Sequence, residues 1–390
     1  MGMIEQFVGP GGEPFRIFFA PGRVNLIGEH TDYTGGYVFP AALDCGTWVA
    51  VRPSADGRFR FFSTGFAQQV ECTADELAYR PEDGWSNYPK GVVWHLCAQG
   101  VELPGCELIY HGNIPNGAGL SSSASITLAT AYALSALADS GMSKIDLIKL
   151  AQRVENEYLG VNCGIMDQFA VGMGKAGQAM LLRCQTLEYR YVPLALGDYR
   201  LVIINSNKRR ELAESKYNER RAECEEGFRI VQAHLPHRAD LGSVTVDEWE
   251  SVRQHIPSAV IRNRLEHVVR ENDRVQRSAE ALVQGDLHTF GHYMKESHQS
   301  LRQLYEVSGK ELDALVEAAA QVEGCIGARM TGAGFGGCTV NLVHHAQIDE
   351  FRRRVEESYR GATGLTPEFY FCEIGDGVRE IDREAESCPF

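Results

Sequence analysis

Gly112-Asn113-Ile114-Pro115-Asn116-Gly117-Ala118-Gly119-Leu120-Ser121-Ser122-Ser123-Ala124-Ser125 stands between a stretch that reads as a strand and one that reads as a helix. Residues 106–114 carry Leu108, Ile109 and Tyr110, whereas residues 126–138 are rich in Ala and Leu. The loop therefore ends at a helix N-terminus, where free N–H groups favour an anion. Gly117 and Gly119 permit backbone angles and close approaches that a Cβ would block. Ser121, Ser122 and Ser123 add hydroxyls suited to capping the helix, to phosphate oxygens or to Mg²⁺. A glycine turn with a serine N-cap accounts for the same residues; three successive serines bring the phosphate cradle level with it. No G-x-x-x-x-G-K-[ST] occurs here, which excludes a Walker loop.

The chain has 390 residues, enough for two domains with separate cores. A formal net charge of −14 argues against a nucleic-acid partner and against an anionic membrane. An acidic protein that binds an anion must concentrate positive potential locally, as a loop of backbone amides does. Eleven cysteines without a C-x-x-C pair point to a reducing compartment rather than to a disulfide framework or a zinc site. The N-terminus lacks the pattern of a signal peptide, and the longest apolar helix candidate falls short of the roughly 18–20 residues of a membrane span. A cytoplasmic protein is expected.

Residues 15–20, 46–52 and 58–63 read as strands, and residues 1–14 as a loose arm. Between the first two strands lies a polar stretch, expected to be a loop, in which Arg23, Glu29, His30, Thr31 and Asp32 fall among Gly22, Gly28, Gly35 and Gly36. Glu29, His30 and Asp32 suit the hydroxyls of a polyol; a solvated loop and a Glu/His/Asp metal site are the competing readings. Residues 143–160 read as a helix with a Ser143/Asp146 start, placing Glu155 at the edge of its apolar stripe and Glu157 away from it. Asp167 follows in Gly160-Val161-Asn162-Cys163-Gly164-Ile165-Met166-Asp167-Gln168-Phe169, among apolar neighbours, where a helix N-cap is the plain reading. Cys163 reads as packing rather than as a nucleophile.

Further strands are expected in 178–194 and 200–205, then a long charged helix over 210–235. On that helix Ala213, Tyr217, Cys224, Phe228 and Val231 share a face, while Arg209, Arg210, Arg220 and Arg221 read as a solvated basic face. Residues 243–320 read as helical, with a cap between Ser243 and Glu248 and a helix over 258–282. Residues 327–340 supply a second glycine loop leading into a strand at 338–343, and residues 368–374 read as the last strand.

Residues 20–36 resemble the galactokinase signature, and residues 112–125 resemble the phosphate-binding motif of the GHMP kinase superfamily. Residues 160–169 and 327–340 are similar to further motifs of that group, in the same order. The resemblance implies an α+β, two-domain fold: an N-terminal ribosomal-protein-like domain over 1–198 and a C-terminal ferredoxin-like domain over 199–390, with the active site in the cleft between them. It implies ATP-dependent phosphorylation of α-D-galactose at the C1 hydroxyl, with Asp167 as base and Arg23 as transition-state stabiliser. Glu29, His30, Thr31, Asp32, Gly164 and Tyr217 would bind the sugar. Ser63, Gly117, Ala118, Gly119, Leu120, Ser121, Ser122 and Ser123 would bind ATP, with Mg²⁺ on Ser123 and Glu155, and residues 327–340 would lie beside the nucleotide loop. Partners would be small molecules only, and a monomer fits this reading. Kinases for N-acetylgalactosamine, galacturonate or arabinose, and a galactose sensor without turnover, are the alternatives it carries.

Overall fold

The computed structural model describes residues 4–8, 13–115, 117–208, 213–382 and 388–390. Asn116, Arg209, Arg210 and half of the expected N-terminal arm lie outside these residues. The strands β1 (Arg16–Asn25), β2 (Tyr37–Val38), β3 (Pro40–Pro53), β4 (Phe59–Ser63), β5 (Val70–Cys72) and β6 (Cys106–Gly112) come first. Next are β7 (Gln178–Arg183), β8 (Glu188–Pro193), β9 (Tyr199–Asn205), β10 (Cys325–Thr331), β11 (Cys338–His344), β12 (Glu368–Phe371) and β13 (Arg379–Glu380). Among the described residues they form sheets ordered β13-β1-β3-β6-β4-β5, β10-β11-β9-β12 and β2-β7-β8.

Strand β1 does not stop where the polar stretch begins. Its pairing with β3 shifts register between Pro21 and Arg23 and then runs on to Asn25, so the expected loop is a bulged strand. Proline is tolerated at a bulge, and the extra residue re-aims the side chains that follow. Before the bulge, Phe18 and Ala20 face the core beneath the helix Ser122–Leu137, while Ile17 and Phe19 face a second cluster with Val8 and Phe62. After it, Val24 joins a third cluster with Ile114 and Leu120. Gly22 lies under the serine loop, where a Cβ would stand 2.9 Å from the Leu120 carbonyl oxygen.

The helix Ser122–Leu137 begins within the serine run, so its first turn belongs to the loop. Buried Ala124, Ala129, Ala131 and Ala133 let it lie close to the first sheet. The helix Lys144–Arg153 opens with the expected Ser143/Asp146 capping box and continues as a π-helical turn, Val154–Tyr158. The expected cap between Ser243 and Glu248 is made by Thr245, whose side chain and Glu248 satisfy each other's backbone N–H groups; the box requires a spacing of three, which Thr245 meets. The long charged helix is seen from Ala213 to His234.

The second sheet is antiparallel throughout. Its strands enter as β9, intervening helices, β10, β11, the helix Ile348–Thr363 and β12. That β-α-β-β-α-β order, with β9 and β11 central, is the ferredoxin-like arrangement. After β12 the chain returns to the first sheet, bridging Leu43 to Ile374 and pairing β13 with β1. Among the described residues no helix is long and apolar enough to cross a membrane.

Gly46 ties β3 to the serine-rich loop: its N–H donates to Asn113 Oδ1 at 2.8 Å, and its carbonyl accepts from Asn113 N–H at 3.1 Å. A Cβ there would stand 2.2 Å from the Ala20 carbonyl and 2.5 Å from the Phe19 ring. Gly46→Ala is expected to lower the unfolding free energy by roughly 1–3 kcal/mol through forced overpacking. Urea denaturation checks this; an unchanged midpoint would show that the strand relaxes freely.

Candidate active site

Arg23, aimed by the bulge in β1, is 5% exposed at its side chain and reaches Asp167 at 30%. Its Nε donates to Asp167 Oδ1 at 2.9 Å and its Nη2 to Oδ2 at 3.0 Å, a two-point pair that fixes the carboxylate plane. Its Nη1 donates to the Gly119 carbonyl at 2.7 Å, and its backbone N–H to the Leu120 carbonyl at 3.1 Å. One residue thus ties strand, loop and carboxylate together. Ser121 completes the carboxylate's surroundings, donating from Oγ to Oδ2 at 2.6 Å. Its backbone is left-handed, with φ of 63°. That geometry turns its hydroxyl away from the N-cap role and towards Asp167, which lies in the first turn of the helix Met166–Met173.

A cavity of about 280 Å³ opens beside this pair, lined by Arg23, Glu29, His30, Asp32, Ser123, Glu155, Gly164, Asp167, Tyr217 and the 332–333 turn. Glu155, on the π-helical turn, accepts from Gln168 Nε2 at 2.9 Å and bonds the Ser123 hydroxyl. Burial pushes its pKa up to about 7, partly offset by the Gln168 hydrogen bond. A π turn inserts one residue into the helical register, and such insertions recur at functional sites. Glu157 is largely exposed, as its helical position predicted.

Asp32 lies against the same cavity, and burial followed by the nearby Asp167 charge raises its pKa to about 6. Its place depends on Gly164, where a Cβ would fall 1.9 Å from Asp32 Oδ2. Tyr217 meets Tyr33 edge-on at 5.1 Å and His30 at 5.6 Å. His30 has both ring nitrogens engaged. Its Nε2 lies 3.1 Å from the Ala333 carbonyl, which can only accept, and burial pulls its pKa down to about 3. The ring is therefore neutral, with Nδ1 accepting from the Tyr33 hydroxyl at 2.8 Å. It follows that Tyr305 donates to Tyr33 and Cys224 to Tyr305, at 2.7 and 3.1 Å.

Glu29 lines the cavity, yet its carboxylate is occupied by the protein. Asn25 Nδ2 and Arg329 Nη2 donate to Oε2 at 2.7 and 2.5 Å, and Thr331 Oγ1 and Gly332 N–H to Oε1 at 3.1 and 2.7 Å. Four donors match the roughly four acceptor positions of a carboxylate. Thr31 is fully buried and absent from the cavity wall; its hydroxyl sits 2.8 Å from the Gly28 carbonyl and 2.7 Å from the Tyr37 carbonyl. Of the described loop residues only Ser123 reaches the cavity, while the Ala118 and Leu120 side chains are buried in the core. Ser63 ends β4, accepting from Gly65 N–H at 3.1 Å, away from this cavity. The second glycine loop, resembling a motif that lies beside the nucleotide loop, here bonds Glu29 and His30 of the signature stretch.

Arg220 is not part of a solvated face. It is buried, donating from Nε to the Tyr305 carbonyl at 2.7 Å and from Nη2 to the Glu306 carbonyl at 3.2 Å. It lies three residues after Tyr217 and four before Cys224, on the buried stripe, so the helical period held its position while its charge concealed it. Arg221, one step round, is half-exposed and pairs with Glu225. Arg329, Gln168 and Ala333 escaped the sequence reading. Gln168 adjoins Asp167 in the 160–169 stretch, and Arg329 and Ala333 lie within the second glycine motif at 327–340, whose pattern does not show which partners they meet.

Comparisons with known proteins bear on the family. The family model for the galactokinase galactose-binding signature matches residues 5–53. The models for the GHMP kinases N terminal domain and the GHMP kinases C terminal match 87–175 and 278–361. Galactokinase of Halalkalibacterium halodurans is 51% identical over 365 residues, covering 94% of this chain and 92% of that protein. The chain belongs to the galactokinase family of GHMP kinases. Galactokinase of Bacillus subtilis is 47% identical over 375 residues, covering 95% of this chain and 96% of that one. The crystal structure of Lactococcus lactis galactokinase complexed with galactose superposes with a TM-score of 0.94 at 42% identity, covering 97% of this chain and 98% of that one. A mevalonate kinase at 20% identity and a TM-score of 0.66, covering 92% of this chain and 99% of that one, shares the fold.

The raised pKa of Asp32 has a definite sign in stability. Folded, it titrates near 6, against 3.8 for the free group, so its contribution is fully present below 3.8 and is lost as pH rises through 6. Asp32→Asn should therefore flatten the fall in unfolding free energy over that window. Urea titrations of both proteins at pH 4.5 and about 6.5 check it; parallel curves would contradict the desolvated carboxylate.

Proposed function

We propose that this chain transfers the γ-phosphoryl group of ATP to the C1 hydroxyl of α-D-galactose, giving galactose 1-phosphate and ADP. The observation that carries the reading is the two-point Arg23–Asp167 pair, bound to the serine-rich loop and facing the cavity lined by Asp32, Gly164 and Tyr217. Phosphoryl transfer through a loose transition state asks for in-line positioning and neutralised charge. Asp167 accepts the hydroxyl proton, and Arg23, anchored on Gly119, holds that carboxylate and counters the charge on the transferring group. Amides and hydroxyls of the Gly117 to Ser123 turn bind the β and γ phosphates.

Ser123 and Glu155 would hold Mg²⁺. A hydroxyl beside a buried carboxylate whose pKa burial has raised, despite the nearby Arg23 charge, is a hard-oxygen site that suits that ion. When bound, it neutralises the phosphates. Asp32 and Tyr217 offer acceptor and donor to the sugar hydroxyls. Glu29 and His30, their polar atoms engaged by protein groups, shape the wall.

Asp167→Asn is expected to keep galactose binding, measured by calorimetry, and to lose turnover by roughly 10³-fold or more. A coupled ADP assay with galactose, N-acetylgalactosamine, glucose and no sugar tests the substrate. Galactose should exceed glucose by roughly a thousandfold, because the epimer leaves buried polar groups unpaired. Near-wild-type turnover in the variant removes Asp167 from the chemistry, and preference for another sugar overturns the substrate assignment. Gly164→Ala should raise the galactose KM by roughly 10-fold or more by displacing the Asp32 carboxylate; an unchanged KM would release Asp32 from sugar binding.

A further inference from the structure

The chain's return from the second sheet to the first brings two thiols face to face. Around the antiparallel bridge Leu43–Ile374, Gly375 N–H donates to the Ala42 carbonyl and Asp44 N–H to the Glu373 carbonyl, each at 3.0 Å. These bonds flank the 43/374 pair, which makes it a non-hydrogen-bonded pair. Two residues beyond this isolated bridge, on either side, stand Cys45 and Cys372. The two side chains hydrogen-bond to each other. Both residues are partly exposed, whereas Cys338, which also lies near Cys372, is buried.

We propose that Cys45 and Cys372 form a paired-thiol modification site, which a low-molecular-weight disulfide such as oxidised glutathione converts into a protein disulfide. The cross-link would staple β3 to the segment following β12. The hydrogen bond from the Cys372 thiol holds the Cys45 pKa below its ordinary range, while that same contact, with burial, pushes Cys372 up. Cys45 is accordingly the attacking thiolate. Its sulfur bonds to one sulfur of the oxidant and expels the other as a thiolate, which takes up a proton. Cys372 then loses its proton to water, and its sulfur attacks Cys45, breaking the mixed disulfide and releasing a second small thiol. Two protein thiols lose two electrons, and one small disulfide becomes two thiols.

Neither cysteine lines the cavity beside Arg23 and Asp167. Because the thiols already touch, two residues beyond the Leu43–Ile374 bridge, the cross-link is expected to leave the strands and the active site in place. Its effect falls on stability, since it closes the long loop from Cys45 to Cys372 in the unfolded chain. Wild-type full-length protein incubated with oxidised glutathione should lose two of its eleven thiols. It should yield a Cys45–Cys372 peptide on non-reducing digestion and melt higher by roughly 5 °C. Dithiothreitol should reverse the change, and galactose-dependent ADP release should stay within about twofold of the reduced protein. Cys45→Ser and Cys372→Ser should each abolish the shift, with Cys372→Ser retaining glutathione on Cys45. Glutathione persisting on wild type without a cross-link, a cross-link through Cys338, or a cross-linked chain that melts lower or loses activity would each overturn the proposal.

Discussion

A guanidinium and a carboxylate brought together from positions 23 and 167 organise this molecule. Burying such charges is costly unless each is paired and its remaining positions are hydrogen-bonded. Here the Gly119 carbonyl and the Ser121 hydroxyl supply those remaining bonds. The serine-rich loop is thereby fixed relative to β1 by the same atoms that orient Asp167. Gly22 admits the loop's backbone above the strand, the bulge turns Arg23 inward, and the left-handed Ser121 directs its hydroxyl back. An anion at this helix N-terminus would meet a cation already held in place.

A second buried pair fastens the signature stretch to the other sheet. Arg329 is fully buried, and besides Glu29 it donates to the Asn25 and Leu26 carbonyls at 3.0 and 3.2 Å. Glu29, Arg329 and the Gly332 N–H thus lock the end of β10 against residues 25–29. The glycine after β10, with φ of 84°, lets its N–H face that carboxylate. His30 beside it is oriented by the Ala333 carbonyl, and the fixed direction of the hydrogen bonds through Tyr33, Tyr305 and Cys224 follows from that one acceptor. The cavity walls are built before any ligand arrives, which reduces the ordering cost of binding.

Much of this was legible in local pattern. The strand before the serine run, the helix after it, the Ser143 capping box and the two last-sheet strands at 200–205 and 338–343 each carry hydrophobic periodicity or cap chemistry within a few residues. The motifs also brought Arg23, Asp32, Glu155, Gly164, Asp167 and Tyr217 together as expected. What stayed hidden depends on distant partners. Nothing local to Glu29 or Thr31 reveals that protein donors or carbonyls occupy their polar atoms, and the charges of Arg329 and Arg220 conceal their burial. The π turn at Glu155 and the bulge at Pro21 are register changes, which composition does not encode.

The most direct test is a crystal structure of the chain with galactose, ADP, Mg²⁺ and a planar metal-fluoride mimic of the transferring phosphoryl group. The account predicts the sugar's C1 oxygen within about 3 Å of an Asp167 carboxylate oxygen and opposite the ADP β-phosphate oxygen across the mimic, with Arg23 beside it. A sugar hydroxyl other than C1 in line, or an Asp167 carboxylate remote from the acceptor oxygen, would contradict it.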